Sequence, residues 1–178
     1  MRRAAYVFVV VAGFAAAVAQ AAIDRTTFAD GVWAGSGTIT GGLFGQVNVE
    51  GTGTVRFRMT ICNGRALSGQ LTFSESFRGA VRGQRFTGSA SGTLRIRATD
   101  ETPIAVRGPV RVAVTVAGIS TSTSATGSGR ITGSGTARRM TGDLAIDARS
   151  AQSSSSAVSA TTVEAPYVAR KTGNAACR

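Results

Sequence analysis

Histidine is absent from the 178 residues, and that removes most enzyme chemistry. Without an imidazole there is no Ser-His-Asp triad, no Cys-His pair and no histidine metal site. The sole lysine, Lys171, lies near the C-terminus, so a Ser-Lys dyad or a Schiff base would have to assemble there. Glycine-rich segments alternate Gly with Ser and Thr, and none reads as the strand-loop-helix phosphate cradle of a P-loop. Carboxylates remain. Asp100 and Glu101 are neighbours in a turn, Asp143 and Asp147 share one weak strand, and Glu75 stands alone. Strand parity aims Glu75 inward, close to Gly51, either as a general acid of raised pKa or as an acid paired with an arginine at a barrel mouth. The chain is therefore expected to be non-enzymatic, with no cofactor and no metal.

Two other residue types remain chemically informative. Cys62 and Cys177 form an even pair expected to be joined as a disulfide, tying the C-terminal tail to the body. Twenty Lys and Arg oppose nine Asp and Glu, a formal net charge of +11. Every cation but one is arginine, whose planar fork suits phosphate, sulfate and carboxylate groups. A charge of this size bears on partners and solubility, not on fold.

The N-terminus reads as a secretory leader. Arg2 and Arg3 precede the apolar run AAYVFVVVAGFAAAVA, and Ala19-Gln20-Ala21 supplies the small residues of a cleavage site. Residues 1–21 are expected to be a signal peptide, leaving a mature chain of about 156 residues, enough for one domain with a real core. A bacterial-type export to the periplasm or beyond follows, with no transmembrane span after cleavage.

The elements that must position these groups are strands. Apolar residues recur with period two almost throughout. From Gly42 to Ile61 the odd positions Leu43, Val47, Val49, Val55, Phe57, Met59 and Ile61 form one face, and Arg56 and Arg58 lie on the other. That run is expected to be one long strand. Its return carries Leu67, Leu71, Phe73 and Phe77 inward after a three-residue loop, Cys62-Asn63-Gly64. This register sets Phe57 opposite Gly69 and Phe73 opposite Gly53. Further strands put Phe86, Leu94 and Ile96, then Ile104, Val106, Val110 and Val112, on the inner face. Arg95, Arg97, Arg107 and Arg111 take the outer face. Pro109 lacks a ladder donor, which predicts an edge or a bulge there. Short turns between alternating strands imply an all-β, antiparallel up-and-down meander of seven or eight strands. A small closed barrel is the expected form, with a β-sandwich or a twisted open sheet as alternatives. Residues 22–149 form this domain. Residues 150–178 begin with a Ser/Ala-rich linker and end in the disulfide-tethered tail, where TTVEAPYVA offers a further strand.

Two partner classes fit this arrangement. A lumen lined by Trp33, Phe57, Phe73, Phe77, Phe86 and Leu94 would hold a small apolar or amphipathic ligand; this is the leading expectation. The alternative is a structural or surface-interaction protein that binds an anionic envelope component or glycan. Its binding face would be Arg56, Arg58, Arg95, Arg97, Arg107 and Arg111. Nucleic acid fits poorly, because stacking platforms need aromatics interleaved with the cations, and here the two occupy opposite faces. A transmembrane barrel would require the apolar face outward.

Gly31-Val32-Trp33, opening the first strand, resembles the Gly-x-Trp that begins lipocalin-type barrels. The resemblance covers three residues. It implies that Trp33 plugs one end of the structure beneath an arginine from a late strand, Arg138 or Arg149, and it carries no function with it.

Overall fold

The computed structural model describes residues 28–44, 47–97, 104–149 and 160–177. The expected leader, most of the Ser/Ala-rich linker and the Asp100-Glu101 turn lie outside the described residues. Among the described residues all regular structure is β: β1 (Gly31–Phe44), β2 (Val47–Cys62), β3 (Arg65–Val81), β4 (Gln84–Arg97), β5 (Ile104–Val116), β6 (Ile119–Ile131), the two-residue β7 (Ser134–Gly135), β8 (Arg139–Arg149) and β9 (Ala160–Gly173). Every pairing is antiparallel, and the strands form one meander sheet in the order β6-β5-β4-β3-β2-β1-β9-β8-β7, with β6 also pairing to β8. The ladders therefore run in a ring.

Following the registers shows the stagger of that ring. A row leaving β8 at Arg139 crosses Arg170, Ala34, Arg58, Gln70, Arg95, Arg107 and Ser128, then returns to β8 at Asp147. Such an offset is what tilted, staggered strands produce. Residues 160–173, placed by sequence beyond the β domain, supply β9 between β1 and β8.

Three tight turns set the register. Asn63-Gly64, Arg82-Gly83 and Ala117-Gly118 all have positive φ at both positions, and their flanking residues pair directly: Cys62 with Arg65, Val81 with Gln84, Val116 with Ile119. Two consecutive left-handed residues match the right-handed twist of the strands they join. The Asp30 carboxylate accepts from the Gly64 N–H at 3.1 Å, and that bond holds its pKa below the usual range.

The expected three-residue loop after Ile61 is thus corrected to a two-residue turn. Parity survives because a bulge between Thr60 and Ile61 lets Leu67 swing out, where it is 48% exposed while Ala66 is buried. Phe57 consequently faces Leu71, and Phe73 faces Val55. The single strand expected from Gly42 to Ile61 is also corrected. β1 continues to Phe44, β2 starts at Val47, and these two residues pair with each other. A register shift between Ile39 and Gly41 reverses the parity of β1, so Leu43 turns outward and is 40% exposed. Pro109 does not mark an edge, since β5 pairs on both sides. Its ladder to β4 lapses between Gly92–Val110 and Arg95–Arg107, while Pro109 still faces Thr126 on β6.

The core is one contiguous apolar cluster inside the ring. Its aromatic rings sit on glycines of neighbouring strands. Phe57 is paired with Gly35, Phe73 with Gly92, Phe77 with Gly88 and Phe86 with Gly79. A Cβ at any of these glycines would fall within 2.7 Å of the opposing ring. Sequence predicts rings over glycines correctly in kind, but names Gly69 and Gly53 where the structure uses Gly35 and Gly92. Gly88→Ala is expected to cost about 1–3 kcal/mol by forcing Phe77 off its rotamer, measurable by urea denaturation.

Candidate functional site: an outer arginine face and an interior acid

The inner set predicted from sequence is brought together. Trp33, Phe57, Phe73, Phe77, Phe86 and Leu94 are all buried in the common cluster. Phe44 stacks on Phe77 at 5.5 Å and tilts against Phe86 at 5.7 Å; elsewhere Phe57 meets Tyr167 edge-on at 5.1 Å. Trp33 is fully buried and donates its indole N–H to the Ala29 carbonyl at 2.8 Å. The ring against it is Phe28, edge-on at 5.1 Å. Arg138 and Arg149 stand exposed, so the arginine cover implied by the Gly-x-Trp resemblance is replaced by an aromatic one.

Glu75 lies on this inner face, between Phe73 and Phe77, and is 2% exposed. It pairs with Gly53 on β2 and Ala90 on β4, and its carboxyl fills the space a Cβ on Gly51 would need. Neither carboxyl oxygen has a hydrogen-bond partner. The expected pairing with an arginine is thus corrected: the neighbouring strands offer only glycine and alanine, and the nearby Arg78 points outward to Glu50 at 2.8 Å. Burial pushes the Glu75 pKa above its usual 4.5. The Tyr167 hydroxyl is likewise buried without a partner, and burial, then the charge of Asp143, pushes its phenol up.

On the outside, Arg56, Arg58, Arg95, Arg107 and Arg111 are all exposed. The structure gathers Arg58, Arg95 and Arg107 into one row. Arg56 precedes Arg58 by one outward position, Arg97 ends β4 opposite Ser68, and Arg111 stands apart between Ser91 and Ser124. Sequence reasoning missed two members of the row, Arg139 and Arg170. Both joined the row only because β9 pairs with β1 and β8 with β9. Arg130, outward on β6, was also missed, since it lies in a Gly/Ser stretch with little alternation to set its face.

Two like-charged pairs are directly opposed on this surface: Arg95 with Arg107, and Arg139 with Arg170. Such juxtapositions destabilise a sheet. Among the described residues no ion pair joins a carboxylate to any of these four arginines: Glu50 pairs with Arg78, the Asp30 carboxylate holds the Gly64 turn, and Asp147 accepts the Thr162 hydroxyl. Two shallow grooves mark the same outer surface. One of about 610 Å³ crosses β2 to β5 over Thr52, Ser76, Ser89 and Ala113. The other, of about 520 Å³, crosses β5, β6 and β8 and includes Arg107 and Arg130.

Cys62 and Cys177 form a disulfide across 115 residues, compatible with an oxidising environment. No helix among the described residues is long and apolar enough to cross a membrane. Among the described residues, no group of three or more His, Cys, Asp or Glu could hold a metal ion. No protein-family model matches the chain, and no curated protein matches it either.

Proposed function

We propose that this is an exported, non-enzymatic β module that binds an anionic partner of the cell envelope through its arginine rows. The observation that carries the reading is the directly opposed Arg95–Arg107 pair, continuous with Arg58 across Gln70 and with no carboxylate in between. Mutual repulsion there is relieved when phosphate, sulfate or carboxylate groups bridge the forks. The interior is in keeping with this reading, because the rings of Phe57, Phe73, Phe77 and Phe86 rest on glycines of neighbouring strands. Replacing Arg58, Arg95, Arg107 and Arg111 by alanine is expected to weaken binding to a sulfated polysaccharide about ten- to a hundredfold. That figure takes a few tenths of a kcal/mol or more from each exposed charge. Elution from an immobilised sulfated polysaccharide checks it, and unchanged elution of the quadruple variant would refute the assignment of the face.

One observation favours a second reading, an amphipathic ligand held inside. Glu75 presents two unpartnered oxygens to an otherwise apolar interior, and a donor group on such a ligand would satisfy them. A native mass spectrum of the mature protein tests this: mass lost on unfolding supports it, and a bare monomer counts against it.

A further inference from the structure

The groove over β5, β6 and β8 allows the anionic partner to be specified further, and this step rests on the function proposed above. Arg107 faces Ser128, and Ser128 faces Asp147. Arg130 is the next outward residue of β6 and lies between Ala105 and Ala145. Arg107 and Arg130 are therefore diagonal neighbours on adjacent strands, about 7–8 Å apart at their backbones and within reach of one shared group. Asp147 is diagonal to Arg130 from the opposite strand. Its Oδ1 accepts the Thr162 hydroxyl at 2.8 Å. Among the described residues no ion pair joins it to either arginine, although all three line one groove of about 520 Å³. Ala105, Ser128 and Ala145 give that groove a low floor.

This set of groups selects its ligand by sign and by shape. Two guanidinium forks suit one tetrahedral oxyanion. A free carboxylate oxygen beside them repels a bare dianion but accepts a hydroxyl, and a floor of small side chains admits a flat ring. We infer that the groove binds a sugar ring carrying a phosphate or sulfate ester, with Arg107 and Arg130 on the ester and Asp147 on a ring hydroxyl.

The test follows the amide resonances of Ser128, Gly129 and Ala145 in the mature protein during titration with glucose 6-phosphate, glucose 6-sulfate, inorganic phosphate and glucose. At least one ester is expected to give saturable shifts about tenfold tighter than inorganic phosphate, reflecting the added charge-assisted hydrogen bond; the tighter ester identifies the source chemistry. Arg130→Gln should abolish the saturable shifts. Asp147→Ala, which removes the acceptor of the ring hydroxyl, should bring the ester and inorganic phosphate to equal affinity. Non-saturable shifts, or shifts indifferent to Arg130→Gln, would overturn the inference. If the polysaccharide retention of the wild type persisted in that case, only the groove assignment would fall. Absence of retention in the wild type would instead overturn the broader function.

Discussion

Replacing Cys62 and Cys177 together by serine is expected to lower the unfolding free energy by about 4 to 5 kcal/mol, the chain-entropy value for so long a closed loop. The bridge spans 115 residues and fastens the segment after β9 to the last residue of β2. Without it the unfolded chain regains the freedom to separate its ends, while the native ladders of β9 to β1 and β8 stay as they are. Urea denaturation of the double variant, or of the wild type under reductant, measures the difference. A loss below about 1 kcal/mol would mean that those ladders alone hold the C-terminal strand, contrary to the chain-entropy account.

Glu75→Met is expected to stabilise the protein by about 1–3 kcal/mol near neutral pH, the cost of keeping a buried polar group without a partner. The variant should also flatten the pH dependence of stability. Below pH 4.5, the group's ordinary pKa, folded and unfolded chains both hold the proton, and burial of the neutral acid is least costly. As pH rises past that value the unfolded chain ionises first, because burial holds the folded pKa higher. Stability therefore falls until pH passes the folded pKa. No charged side chain opposes Glu75 from β2 or β4, where its partners are Gly53 and Ala90, so nothing local offsets the loss. Thermal melts of both proteins between pH 4 and 8 should diverge with rising pH. Parallel curves would show that the carboxyl finds a partner in solution.

What the sequence made legible was periodicity and chemistry of side chains; what it hid was register. Alternation alone put Phe57, Phe73, Phe77 and Phe86 inside and Arg58, Arg95 and Arg107 outside, as the structure has them. It also aimed Glu75 inward. Cross-strand partners depend on single-residue events that composition does not mark. The bulge that exposes Leu67 and the register shift after Ile39 each change which residues meet while leaving most inward positions unchanged. The first half of β6 was missed altogether, because Ile119–Ala125 is almost all Ser and Thr and mostly exposed, with no apolar face to read. Its one local signal was the Ala117-Gly118 turn. Arg139 and Arg170 joined the arginine row through the contact of the last strands with the first, a long-range feature without a local trace.

The central claim is that the outer arginine row binds a polyanion. The most direct measurement is calorimetric titration of the protein with a sulfated polysaccharide across a series of NaCl concentrations, with a neutral polysaccharide alongside. Exposed charges more than about 10 Å apart are screened at 0.1 M salt, so affinity should fall steeply as salt rises. The quadruple arginine variant should show a shallower fall, and the neutral polymer should give no heat. Affinity unchanged across the salt series, or equal for charged and neutral polymers, would contradict the account.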